Sequence, residues 1–212
     1  MTRPKRQRRP EDRPDEILDA ALAVFTEQGF AAARVDDIAK RAGLSKGAVY
    51  LYFPSKEAML NALVEQSAGL VAQSAERMVA AAAPDDPEQA FRAVLKMVLT
   101  VISDPEVSAA PRLVLSEAPR FPELAAYYRT HVIDIGRRAF RTLFAAGIER
   151  GVFRPVDGEA AMRTLMGPVI AHMLLTTVFN RPGDPEHDPA VMADALADIV
   201  LNGLKPRPGD AS

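Results

Sequence analysis

VDDIAKRAGLSKGAVYLYFP, residues 35–54 of a 212-residue chain, is the stretch that decides the fold. Val35 to Ala42 reads as a short helix closed by Gly43, where a turn needs the positive φ that a Cβ would penalise. Lys46 to Phe53 reads as a second helix, with Ser45 as its N-cap and Pro54 as its stop. Two short helices joined by a Gly-containing turn form the helix-turn-helix arrangement. Ala39 must be small because the second helix crosses close to the first there. Ile38, Leu44 and Val49 are expected to point inward, leaving Lys46, Gly47, Ala48, Tyr50 and Tyr52 outward.

That outward set suits a DNA duplex. Lys46 at the helix start can reach a phosphate or a guanine edge. Gly47 and Ala48 permit close approach, and the Ala48 methyl can meet a thymine methyl. Tyr50 and Tyr52 offer hydroxyls to phosphates and ring faces to sugars. Lys56 and the amides near Ser55 face the backbone at a helix N-terminus, where anions are favoured. A bare corner of two helices with exposed tyrosines would look much the same, so this pattern does not by itself establish DNA binding.

Outward from this stretch, the punctuation predicts helices throughout and no strands. Pro14 to Gln28 carries Ile17, Leu18, Ala21, Val24 and Phe25 on one face, and Gly29 follows as a C′ residue. Ser55 caps a long segment over Lys56 to Ala82. Asp86, Pro87 and Gln89 fit an N-cap, an N1 proline and the N3 member of a capping box, opening a helix to about Ser103. Pro105 to Ala118, containing Pro111, Pro122 to Arg150, Asp157 to Asn180 and Pro189 to Leu204 complete about nine helices. The fold class is all-α, with three short helices ahead of a larger helical body.

Composition narrows the function. The chain is 48% hydrophobic and 25% charged, enough to build a core, and it has no Cys, which excludes a disulfide scaffold and a thiol nucleophile. The polar start and the lack of an apolar run of bilayer length predict a soluble, cytoplasmic protein and no membrane partner. Net charge is −2, yet residues 1–56 hold 11 Lys and Arg against 8 Asp and Glu, so a basic head precedes an acidic body. His131, His172 and His187 have no metal-ligand spacing, and no nucleophile elbow or nucleotide fingerprint is present. Catalytic residues, metals and cofactors are therefore all assigned as none.

The run from Ile38 to Glu57, IAKRAGLSKGAVYLYFPSKE, closely resembles the recognition segment of TetR-family transcriptional regulators. Ile17-Leu18-Asp19-Ala20-Ala21, Phe25 and Gly29-Phe30 resemble that family's first helix, so the specific match covers about residues 14–62. EAPRFPEL, residues 117–124, is similar to a segment met in one subset of these regulators. The resemblance implies a homodimer of two-part helical subunits, in most members a repressor of a palindromic operator in double-stranded DNA, with a body that binds a small effector. By position, Ser45, Lys46, Gly47, Ala48, Tyr50 and Tyr52 match recognition-helix contacts and Lys56 a phosphate contact. Where the family usually carries Thr or Ser as N-cap and phosphate ligand, this chain has Ala33-Arg34, and Arg34 is expected to take over the phosphate.

The resulting domain reading is a basic arm over 1–13, the DNA-binding head over 14–58, an effector-binding and dimerisation body over 59–204, and a tail over 205–212. The arm is a candidate for the minor groove. Phe91, Met97, Tyr127, Tyr128, Met166, His172 and Met173 are the candidate lining of a pocket for an apolar or aromatic effector. Val169, Met173, Val178, Val191, Leu196, Ile199 and Val200 are the candidates for an intersubunit four-helix bundle. A constitutive architectural DNA binder, or more remotely a helical enzyme, is the alternative.

Overall fold

The protein is described by a computed structural model covering residues 13–206 apart from Glu186; the basic arm before Arg13 and the tail beyond residue 206 lie outside it. Eleven α-helical segments are present: α1 Arg13–Gln28, α2 Val35–Ala42, α3 Lys46–Tyr50, α4 Lys56–Val64, α5 Leu70–Ala82, α6 Pro87–Ile102, α7 Pro105–Glu117, α8 Pro122–Tyr128, α9 Asp134–Glu149, α10 Gly158–Thr177 and α11 Pro189–Leu204. A π-helical stretch, Glu65–Gly69, lies between α4 and α5, and a second, Arg129–Ile133, lies between α8 and α9. The described residues thus form nine unbroken helical runs and no strand, as the sequence predicts. No described helix is long and apolar enough to cross a membrane.

The chain divides into two compact units, the first comprising residues up to Gln66 together with Ala109–Tyr127. Its core begins with the α1 stripe, in which Ile17, Leu18, Ala21, Val24 and Phe25 are all buried at the helical repeat. Gly29, at φ 79°, ends α1 by turning the chain back while its N–H donates to the Phe25 carbonyl at 2.9 Å. Phe30 then packs edge-on against Phe25 at 5.1 Å and against Phe121 at 5.0 Å. Met59, Leu60, Leu63 and Val64 of α4 are buried in the same unit, so compactness carries past the predicted boundary at residue 58 to Gln66. Three short helices enclose little apolar surface alone, and the Ala109–Tyr127 segment supplies buried Ala110, Leu113, Val114 and Leu124.

The second unit, Ser67–Ser108 with Tyr128–Ser212, has its own core. Phe91, Leu95 and Leu99 of α6 meet Leu143 and Phe144 of α9, Val169 of α10, Ala197 and Leu201 of α11, and Phe153 from the turn after α9. Each of the Phe, Leu and Val side chains contributes about 1.5–3 kcal/mol when fully buried. Asp86 caps α6 by accepting from the Gln89 N–H at 2.9 Å, and Asp157 caps α10 by accepting from the Ala160 N–H at 2.7 Å. Pro111 and Pro168 are accommodated inside α7 and α10, so neither breaks its helix.

Gly147 marks the tightest point of this core. A Cβ there would collide with the edge of the Phe153 ring, so the missing side chain is a packing requirement. Gly147→Ala is expected to destabilise the protein by about 1–3 kcal/mol through overpacking, and Phe153→Leu in the same chain should restore part of the loss. Thermal unfolding of the single and double variants checks this, and an unchanged midpoint in Gly147→Ala would contradict it.

Candidate nucleic-acid interface

The motif is built by local chemistry. Gly43, at φ 68°, closes α2 in a Schellman turn: its N–H donates to the Lys40 carbonyl at 3.2 Å, and the Leu44 N–H donates to the Ala39 carbonyl at 2.9 Å. Ser45 then accepts from the Ala48 N–H at 3.2 Å, capping α3. Ile38, Ala39 and Val49 are buried and fix the crossing of the two helices, while Leu44 is only half-buried, short of the inward placement predicted for it. Recognition helix α3 stops at Tyr50, earlier than the predicted Phe53. The N–H groups of Tyr52 and Phe53 both turn back to the Val49 carbonyl at 3.0 Å, and Pro54 holds the preceding residue out of the helical region.

Lys46, Gly47 and Tyr50 of this short element are exposed, as are Ser45 before it and Tyr52 after it, and Ala48 is half-buried. A Cβ on Gly47 would meet nothing within 4 Å. Nothing in the subunit therefore requires glycine there. Tyr50 and Tyr52 are 44% and 41% exposed, and between them Leu51 is 84% exposed. Leu51 lies outside the set that the sequence predicts. Its signal was legible, because an aliphatic residue between two outward tyrosines has no helical face of its own to bury.

The cations divide between fold and surface. Lys46 Nζ lies 3.0 Å from Asp36 Oδ2, an exposed pair linking α3 to α2. Arg41 Nη1 lies 2.7 Å from Glu27 Oε2, and the hydrogen bond to this guanidinium holds the Glu27 carboxyl below its ordinary range. Arg34 is exposed at the N-cap of α2 and makes no capping bond with its side chain, so the capping duty of a Thr or Ser is not replaced. Lys56 is turned to the fold. Its Nζ donates to the Phe30 carbonyl at 2.8 Å and the Ala31 carbonyl at 3.0 Å, and sits 4.7 Å from the centre of the Phe30 ring.

The seven residues predicted to line an effector pocket are not gathered into one. Tyr127 belongs to the first unit, where its hydroxyl donates to Glu65 Oε1 at 2.9 Å; burial and this bond push it up to about 12. Tyr128 belongs to the second, where burial pushes it up to about 12. Phe91 and Met173 are fully enclosed core residues, Met97 is half-buried, and Met166 is largely exposed. For Phe91 and Met173, close packing within the subunit has already used the apolar side chain. His172 does line a cavity of about 480 Å³ in the second unit, together with Ser103, Thr176 and Phe179. Among the described residues, no cluster of His, Asp or Glu is arranged to hold a metal ion.

Two family models match the chain: "Bacterial regulatory proteins, tetR family" over residues 17–63 and "Tetracyclin repressor-like, C-terminal domain" over residues 87–187. The chain belongs to the TetR family of bacterial transcriptional regulators. It is 34% identical over 124 residues to the HTH-type transcriptional regulator EthR of Mycolicibacterium smegmatis, an alignment covering 57% of each chain. It is 29% identical to the HTH-type transcriptional repressor KstR2 of Rhodococcus jostii, over 91% of both. Among solved structures it is similar to the fatty acid degradation regulator FadR from Bacillus halodurans, with a TM-score of 0.69 and 26% identity over 90% of this chain and 99% of that one. The first model covers the whole helix-turn-helix, and so coincides with the exposed set on α3.

Two substitutions separate fold from recognition in this TetR-family head. Gly47→Ala is expected to leave the melting temperature unchanged or raise it, since Ala is favoured by about 0.5–1 kcal/mol inside a helix, while weakening DNA binding through the added methyl. Lys56→Met is expected to lower stability by about 1–3 kcal/mol, because two charge-assisted bonds to main-chain carbonyls are lost. Denaturant titration and DNA-binding isotherms check both. An unaltered stability in Lys56→Met would return that residue to a purely phosphate-binding role.

Proposed function

We propose that this chain is a repressor that binds a palindromic operator in double-stranded DNA as a homodimer and is released by a small apolar or aromatic effector held in its second unit. The observation that carries the reading is the surface of α3: a glycine the fold does not need, with Tyr50, Leu51 and Tyr52 exposed beside it. Close backbone approach, ring faces and an aliphatic contact are what a major-groove helix presents to base edges and sugars. Lys46 supplies a phosphate or guanine contact by exchanging Asp36 for DNA, and Arg34 supplies a second cation at the start of α2. Ser45, already committed to its cap, contributes position. The protein acts in the cytoplasm, where its operator is.

The dimer reading rests on α10 and α11. Val178, Val191 and Ile199 are exposed on these helices, whereas Val169 and Met173 are spent on the subunit's own core and drop out of the predicted intersubunit set. Leu196 and Val200 are partly buried against that core. Burying the exposed side chains against a second copy forms a four-helix bundle and sets two heads on successive half-sites. Release follows from linkage. An effector that binds the DNA-incompetent state about 100-fold better opposes operator binding by roughly 2.7 kcal/mol per site. The repressor named among the similar proteins supports the direction of regulation.

Selection of bound genomic fragments by the purified protein, followed by footprinting, tests the reading. One protected palindrome is expected. Tyr50→Ala should weaken its binding by roughly 1–3 kcal/mol with helicity intact. Val191→Asp with Ile199→Asp should convert a dimer to a monomer in sedimentation. Sequence-indifferent binding would favour an architectural protein, and a monomeric parent would reject the dimer.

A further inference from the structure

Among the described residues, Leu51 is the most exposed large apolar side chain, at 84%. Its N–H donates to the Gly47 carbonyl at 3.3 Å, and its own dihedrals are helical, φ −67° and ψ −27°. Gly47 and Leu51 therefore stand one α-helical turn apart on one face, although α3 itself stops at Tyr50. A side chain on a helix covers the turn N-terminal to its own Cα, so Leu51 overhangs Gly47.

The space beneath that overhang is open, because a Cβ on Gly47 would meet nothing within 4 Å. Neighbours at this spacing carry their Cβ atoms about 5–6 Å apart, and carbon atoms touch at roughly 3.5–4.0 Å. With the Cβ of one neighbour missing, the notch accommodates a single methyl group resting on the Gly47 Cα and against the Leu51 side chain. Neither residue has a polar side-chain atom, and the Gly47 carbonyl is already engaged by the Leu51 N–H. The notch is thus apolar. Its rim is not: Lys46 precedes it, Tyr50 and Tyr52 flank Leu51, and all three are exposed. A cation and two phenols around a small apolar notch are complementary to a phosphate-lined groove that holds an apolar group at its floor.

Unmodified bases present one such group in the major groove, the C5-methyl of thymine. The cytosine amine, the guanine O6 and N7, and the adenine amine and N7 would each lose water at this notch without gaining a hydrogen bond. We propose that Gly47 and Leu51 read a thymine through its C5-methyl group, and so fix a T·A pair at one position of each operator half-site. The inference rests on the operator reading and adds to it the base that this part of α3 selects.

The test uses the full chain and the palindrome it protects in footprinting. Each thymine of the half-site is replaced in turn by deoxyuridine, which removes only the methyl group, and binding isotherms are measured. One position is expected to lose about fourfold in affinity for each half-site changed. Leu51→Ala removes one wall of the notch and Gly47→Ala fills it, so in both variants thymine and uracil at that position should bind equally. Tyr50→Ala should bind more weakly throughout yet keep the fourfold preference, which separates a local contact from a general loss of docking. The inference is overturned if no thymine methyl affects binding, if the preference persists in Leu51→Ala or Gly47→Ala, or if Tyr50→Ala abolishes it. A protected palindrome with any of these results overturns this inference alone, whereas a protein that protects no palindrome overturns the operator reading and this inference with it.

Discussion

The turn Gly29–Phe30–Ala31 is held by one ammonium, and the first unit is organised around that grip. Lys56 closes two carbonyls of the turn and lies over the Phe30 ring, which itself packs between Phe25 and Phe121. Residues from α1, from the start of α4 and from the corner between α7 and α8 thus converge on a single turn. The turn leads directly into α2, so the entry to the helix-turn-helix is fixed before the motif begins. A lysine near a helix N-terminus looks in sequence like a phosphate ligand. Here its distance to two main-chain oxygens makes it a structural clasp.

With the entry fixed, the motif itself needs little. A five-residue helix cannot be stable alone, because nucleation consumes more conformational freedom than so few bonds return. The Ser45 cap and the buried Val49 hold α3 in place, and the rest of its surface is left unused by the fold. What the fold does not use is concentrated here: Gly47 with open space above it, two half-exposed tyrosines and an almost fully exposed leucine. The ion pair between Lys46 and Asp36 shows the same economy, since an exposed pair of this kind contributes at most about 1 kcal/mol and is readily exchanged for a phosphate.

The second unit obeys the opposite rule. Its large apolar residues are consumed by close packing, to the point that Gly147 must lack a Cβ beneath Phe153. A cavity of about 480 Å³ lies where polar groups interrupt that packing, at the Ser103–His172 contact and the loop beyond α10. The chain passes between the units three times: at Gln66, inside one π-helical stretch, between Ser108 and Ala109 within α7, and at Tyr127, just before the other π-helical stretch.

The sequence by itself determined the helical class, the caps, the glycine turns and the exposure of Lys46, Gly47, Tyr50 and Tyr52. These depend on residues close together in the chain: Ser45 with Ala48, Gly43 with Ala39 and Lys40, Asp86 with Gln89. It also determined the family, because the dense run from Ile38 to Glu57 lies within one motif. What only the tertiary structure decided involves partners far apart in sequence. Lys56 is claimed by carbonyls some 25 residues earlier, Tyr127 by Glu65, and His172 by Ser103. The same holds for which of Phe91, Met166 and Met173 face a core, since helical spacing gives the face of a helix but not the neighbour that covers it. Local hydrogen bonds are written in short-range pattern, whereas packing and side-chain pairing are settled only when the helices meet.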